Sequence, residues 1–145
     1  MIHFSNSLVI HAKVEHVFEY LKLPENFSKW NYAVKSISKV TSTEKATQSL
    51  YHLHREVGLQ VFEEIILTDN IPNRKLSFEA TGKLFSYKAS YEIAPILRGT
   101  SLTNTMELAS SANHLMVNLF KRKIKKEVNQ NLLVLKKILE EDERD

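Results

Sequence analysis

The sequence contains no cysteine, three glycines and three prolines among its 145 residues. The lack of cysteine excludes disulfide bonds, thiolate metal sites and a cysteine nucleophile, and it is compatible with a reducing cytoplasm. Gly58, Gly82 and Gly99 are too few and too scattered to form a glycine-rich phosphate loop, so no nucleotide cofactor is expected. No apolar run approaches the roughly 20 residues that span a bilayer, and no signal peptide is evident. These absences predict a cytoplasmic protein.

The overall composition is that of an ordinary globular chain. Hydrophobic residues make up 43% and charged residues 26%, which predicts one folded domain covering residues 1–145. The formal net charge of +3 is too small for a dedicated nucleic-acid surface. Lysine and arginine concentrate in residues 121–126, and acidic residues concentrate in residues 140–145. We interpret these as a solvated helix face and a frayed acidic tail, with a phosphate or membrane contact as the alternative.

The hydrophobic pattern changes its period several times along the chain. Residues 4–10 predict a strand, and residues 13–21 predict an amphipathic helix. Pro24 suits the first turn of a second short helix that contains Phe27 and Trp30. Residues 34–53 mostly alternate, and strands are then predicted at 59–68, 75–81, 84–93 and 101–108. Short separators with glycine, proline or asparagine predict hairpins, and hence an antiparallel sheet.

One long amphipathic helix is predicted at residues 112–141, which contain neither glycine nor proline. Its apolar residues recur at spacings of three and four: Val117, Phe120, Ile124, Val128, Leu132, Leu135 and Leu139. A helix of this length runs on the order of 40 Å and can cross a whole sheet. It can therefore cover the apolar face that alternation predicts for the sheet.

Three segments resemble a known family. Residues 10–21 (IHAKVEHVFEYL), followed by PENF at 24–27 and Trp30, are similar to the opening of START-like, or SRPBCC, proteins. Residues 70–78 resemble that superfamily's middle hairpin, and residues 131–136 resemble its closing helix. Lys13 departs from the proline found in many members. The resemblance implies an α+β helix-grip fold, in which a curved antiparallel sheet wraps around a long C-terminal helix, with two short helices between the first two strands.

The resemblance implies a cavity between the sheet and the C-terminal helix. We expect it to bind a small hydrophobic or amphipathic ligand, lipid-like or polyketide-like, without a cofactor or metal. The first alternative is a cofactor-free polyketide cyclase or dehydratase, and the second is an interaction protein that uses the basic residues 121–126. No nucleic-acid partner and no stable membrane insertion are expected, and a homodimer is left open. The expected cavity walls are Phe27, Trp30, Phe62, Phe78, Tyr87, Tyr91, Met106, Val117, Phe120, Ile124 and Val128.

Candidate acids and bases lie on two predicted strands. Glu63 and Glu64 are neighbours, so in a regular strand only one of them can face the cavity. The inward carboxyl group would have a raised pKa unless a cation met it, and a structural ion pair with Arg55 is the alternative to catalysis. His52 and His54 share a strand face, but no further ligands predict a metal site there. We name Glu64 and His54 as the catalytic candidates, with solvent-facing histidines as the alternative.

Overall fold

The structure is a computed structural model that describes residues 2–40, 49–110 and 114–144, without the side chains of residues 110, 114, 116, 117 and 144. The strands in these residues are β1 (Ile2–Ile10), β2 (Val34–Lys39), β3 (Leu50–Arg55), β4 (Phe62–Ile71), β5 (Lys75–Thr81), β6 (Phe85–Ile96) and β7 (Gly99–Ser110). The helices are α1 (Val14–Leu21), α2 (Phe27–Trp30), α3 (His114–Leu119) and α4 (Lys121–Arg144), and Pro24–Asn26 forms a 3-10 turn.

The seven strands form one antiparallel sheet in the order β1-β7-β6-β5-β4-β3-β2. Four hairpins join β3 to β7 in sequence, as the short separators predict. The helix-grip fold is therefore confirmed, with its long C-terminal helix and its short helices after the first strand. The main difference lies in β4, which begins at Phe62 rather than at Leu59.

The two short helices form where the period predicts them. In α1, Val14, Val17, Phe18 and Leu21 are all buried, because their spacing places them on one face. Pro24 occupies the first position of the 3-10 turn, where the missing N–H costs no hydrogen bond. This turn leads directly into α2, whose two buried residues are aromatic.

The prediction of one continuous helix over residues 112–141 is wrong at Phe120, where α3 and α4 are separated. The Phe120 carbonyl accepts the N–H of Ile124, so Phe120 precedes the first turn of α4. Phenylalanine offers no side-chain oxygen to cap a helix, and the apolar period runs through the break without a change. The sequence therefore carries no start signal at this position. Residues 112 and 113 of the predicted helix lie outside the described residues.

Helix α4 has 24 residues and is about 36 Å long. It buries Leu132, Leu135 and Leu139 in the core. The acidic end is not wholly frayed, which corrects that interpretation. Glu140 accepts the backbone N–H of His11 at 2.7 Å, and Glu143 accepts that of Lys13 at 2.9 Å. The C-terminal end of α4 is thus attached to the start of α1.

Candidate functional site

A cavity of about 90 Å³ lies between the inner face of the sheet and α4. Its walls come from β4 to β7, from α2 and from α4. Ala80 and Ala89 leave this space open because their side chains are small. Across the sheet they pair with large aromatic residues, Tyr87 and Phe78 respectively. One water molecule needs about 10–15 Å³ measured in this way, so the cavity can hold a small organic molecule or several waters.

Aromatic side chains form one wall of the cavity. The Phe27 ring lies 5.3 Å from the ring of Trp30 and 5.1 Å from that of Phe78, and Trp30 lies 6.1 Å from Tyr91. All three contacts are edge-to-face, the arrangement that aromatic quadrupoles favour. The indole N–H of Trp30 is buried and has no hydrogen-bond partner among the described residues.

Eight of the eleven expected wall residues line the cavity: Phe27, Trp30, Phe78, Tyr87, Tyr91, Met106, Ile124 and Val128. Phe120 packs against the core without lining the cavity. The side chain of Val117 lies outside the described residues. Phe62 is 66% exposed and stacks on His54 on the outer face of the sheet, so its placement in the wall is wrong.

Four polar residues, Arg55, Gln60, Glu63 and Tyr87, form a hydrogen-bonded group in the cavity lining, which we call the polar cluster. Arg55 Nη2 donates to Glu63 Oε1 at 3.3 Å, and the Tyr87 hydroxyl donates to the same oxygen at 2.5 Å. Gln60 Nε2 donates to Glu63 Oε2 at 3.2 Å. The carboxylate therefore has a cation and two further donors, as a buried charge requires.

The geometry around Gly82 holds Gln60 in this cluster. Gln60 Oε1 accepts the backbone N–H groups of Leu84 and Phe85, each at 3.3 Å. A Cβ atom at Gly82 would lie 2.2 Å from that oxygen, so only glycine leaves room for the amide. The position of Gln60 in the polar cluster therefore depends on the β5–β6 turn.

Alternation along β4 decides which glutamate enters the cavity. Glu63 and Ile65 are buried, whereas Phe62 and Glu64 are exposed. The Glu64 carboxylate lies 3.5 Å from His52 on the outer face, where His54 also lies. The sequence left open which glutamate faces the cavity, and in the structure it is Glu63. The catalytic candidates Glu64 and His54 therefore both lie outside the cavity. The alternative ion pair between Arg55 and Glu63 is confirmed.

The electrostatics of the cavity keep its tyrosines neutral. Burial raises the pKa of Tyr87 well above its usual value, and the charge of Glu63 raises it further. Burial also raises the pKa of Tyr91, and the Arg55 charge offsets only part of this effect. Burial on its own would lower the pKa of Arg55, but the attraction of Tyr87 and Glu63 outweighs it and raises that pKa. At neutral pH the cavity thus holds the Arg55 cation and two protonated tyrosine hydroxyl groups, of which that of Tyr87 already donates to Glu63.

The amide side chains at the edge of the cavity were not predicted from the sequence. Asn31 Oδ1 accepts from Arg55 Nη1 at 3.1 Å and from Asn131 Nδ2 at 3.2 Å, which links the end of α2 to β3 and α4. Glu127 also lines the cavity, and burial raises its pKa against the opposing charges of Lys123 and Arg55. No motif signals these residues, because they meet only after the sheet and α4 have packed.

Comparison with known proteins agrees with this architecture. No curated protein sequence matches the chain significantly. Similar solved structures include the Zhui aromatase/cyclase from Streptomyces sp. R1128, with a TM-score of 0.78, 12% identity and coverage of 96% of this chain and 93% of the other. A START superfamily protein from Mycobacterium smegmatis has a TM-score of 0.72, 16% identity and coverage of 96% and 97%. A conserved protein from Geobacillus kaustophilus has a TM-score of 0.73, 17% identity and coverage of 95% of each chain.

These identities are low, so the solved structures establish the fold alone. The family profile described as "Polyketide cyclase / dehydrase and lipid transport" matches residues 1–140, nearly the whole chain. The START-like resemblance in the sequence is confirmed by this match, and the chain belongs to the polyketide cyclase/dehydrase and lipid transport family.

Proposed function

We propose that the protein binds a small, largely apolar molecule carrying at least one oxygen atom in the cavity between the sheet and α4. The observation that carries this proposal is an apolar, aromatic cavity whose lining includes a tryptophan with an unpaired hydrogen-bond donor. The Trp30 indole N–H has no partner among the described residues.

The energetics of such binding come mainly from the apolar walls. Burial contributes about 25 cal/mol for each Å² of apolar surface removed from water, before ordering costs are subtracted. The unpaired Trp30 N–H favours a ligand with an acceptor oxygen, because an unpaired buried donor costs about 1–3 kcal/mol. The hydrogen atoms on both Nη atoms of Arg55 are already occupied by Asn31, Tyr32, Glu63 and Tyr87, so Arg55 mainly fixes the cavity shape.

Native mass spectrometry of protein purified from its own host tests this proposal. We expect a retained small molecule on the wild-type protein. Ala89 lines the cavity, so Ala89→Leu should reduce its occupancy sharply, whereas Ala94→Leu at an exposed position of the same strand should not. Equal retention by both variants would place the molecule elsewhere, and no retained molecule at any protein concentration would count against the proposal.

A second candidate is a cofactor-free cyclase or dehydratase that uses Glu63 in place of the expected Glu64. The observation that favours it is a carboxylate in the cavity lining, hydrogen-bonded to the Tyr87 hydroxyl. Glu63, oriented by Arg55 and Tyr87, would accept a proton from a bound substrate and return it to the hydroxyl group that leaves as water. Glu63→Gln and Tyr87→Phe should then lower turnover at least 100-fold in folded protein, while the exposed Glu64→Gln leaves it unchanged. Equal turnover in all three variants would remove this assignment.

A further inference from the structure

One end of the molecule combines the cavity with exposed apolar side chains. The register brings together the end of β3, the start of β4, the end of β5, the start of β6 and the end of β7. We call this end of the strands the cavity end. The loop between β3 and β4 lies there, and its residues Gly58 and Leu59 line the cavity. Helix α3 follows β7 and so starts at the same end.

Large apolar side chains are exposed at the cavity end. Leu115 is 67% exposed and Leu119 is 73% exposed, and a spacing of four places them on one face of α3. Val57, next to Gly58 in the cavity lining, is 55% exposed. Side chains of this size are favoured at a surface when another apolar phase covers them.

Five cations follow α3 directly. Arg122, Lys123, Lys125 and Lys126 are exposed and Lys121 is partly exposed, and none of them pairs with a carboxylate in the described ranges. Cations at the N-terminus of a helix oppose its macrodipole, so they do not stabilise α4. Acidic residues at the other end of α4 oppose it as well, but Glu140 and Glu143 bind the start of α1. The basic residues have no such structural partner among the described residues.

We propose that the cavity end docks on the surface of an anionic lipid bilayer, with Leu115 and Leu119 entering the headgroup layer and residues 121–126 contacting lipid phosphates. A bilayer surface supplies both an apolar phase and negative charge within the same few ångströms. A nucleic acid supplies the charge without the apolar layer. No helix in the described residues is long and apolar enough to cross a membrane, so the contact is peripheral.

This inference goes beyond the proposed function and does not rest on it, because docking depends on the outer surface and ligand binding depends on the cavity. Cosedimentation with vesicles of phosphatidylcholine alone, or of phosphatidylcholine with 30% phosphatidylglycerol, tests it. We expect binding to the anionic vesicles only, weakened by added salt. Each cation near such a surface contributes about fivefold in affinity, so Arg122→Glu with Lys125→Glu should weaken binding more than about 25-fold.

Matched controls lie on the same helix. Lys137→Glu changes an exposed charge in the second half of α4, and Leu133→Ser changes an exposed leucine at its middle; both variants should bind as the wild type does. Leu119→Ser should weaken binding several-fold. No binding at low salt, or equal loss in the controls, would overturn the proposal. Tight binding to soluble polyglutamate that also needs Leu119 would overturn it in favour of an acidic protein partner.

Discussion

At the scale of single residues, the feature that most constrains the molecule is the buried ion pair between Arg55 and Glu63. The Glu63 side chain is 2% exposed and that of Arg55 is 11% exposed, so both charges are largely removed from water. Such a pair is weak as a source of net stability but costly to break, because the remaining charge is left buried without a partner. The cavity lining therefore depends on both members being present.

Glu63→Gln should lower the free energy of unfolding by about 3 kcal/mol, because it leaves the Arg55 charge uncompensated. The neighbouring Glu64→Gln removes an exposed carboxylate and should change it by less than about 0.5 kcal/mol. Urea unfolding of the two variants measures the difference. Similar values for both would show that the inward position on β4 has been wrongly assigned.

Glu140 gives the stability a defined pH dependence. Burial opposes ionisation, but hydrogen bonds from Lys136 and from the His11 N–H lower its pKa overall. A lowered pKa contributes stability that is fully present above the unfolded value of about 4.3 and is lost as the pH falls through the folded value. Glu140→Gln should therefore cost about 0.5–1 kcal/mol at pH 7, and this difference should shrink below about pH 4.

Glu141→Gln, at an exposed position beside it, provides the control in the same series of unfolding curves. A constant difference between wild type and Glu140→Gln from pH 3 to pH 7 would contradict the assigned interactions of Glu140.

The residue-scale errors share one physical origin. Phe62 was expected in the cavity wall and Glu64 was named as a catalytic candidate, and both lie on the outer face, because residues two apart in a strand share a face. Ile65 and Ile66 are adjacent apolar residues, so the pattern of β4 does not fix which face is buried. The register of one strand thus accounts for two wrong placements, whereas the regular alternation of β6 correctly predicted Tyr87 and Tyr91.

At the scale of elements, α4 packs its apolar face into the hydrophobic core and also forms one wall of the cavity. Leu132, Leu135 and Leu139 are fully buried, while Ile124 and Val128, nearer its start, line the cavity. Its spacing made the helix predictable from sequence, and the hairpin signals made the strands predictable. The break at Phe120 was not predictable, because it involves neither a capping side chain nor a change of period.

Val128→Asp should lower the melting temperature and the affinity for an apolar probe together. The carboxylate would enter the cavity wall without a cation, which costs several kcal/mol or raises its pKa. Leu133→Asp, at an exposed position of the same helix, should change neither quantity appreciably. Thermal unfolding followed by probe titration measures both. A tolerated Val128→Asp with unchanged probe affinity would mean that α4 does not form the cavity wall.

At the scale of the whole molecule, basic and acidic residues are separated along α4, and the cavity lies near the basic end. The basic start of α4 lies beside the cavity, and its acidic end is attached to α1 through Glu140 and Glu143. A net charge of +3 conceals this separation, which the sequence shows in residues 121–126 and 140–145 and which the fold places at opposite ends of α4. Composition alone could therefore predict neither the polar cluster nor the proposed docking surface.

We propose that the cavity between the sheet and α4 is a ligand-binding site, and the fluorescence of Trp30 tests this proposal directly. Trp30 is the only tryptophan of the chain and lines the cavity, so its fluorescence reports on that space alone. Titration with apolar probes of graded size should quench or shift this emission saturably, with one probe bound per chain, and Ala89→Leu should abolish the response. Unchanged Trp30 emission with every probe, in protein that remains folded, would contradict the claim.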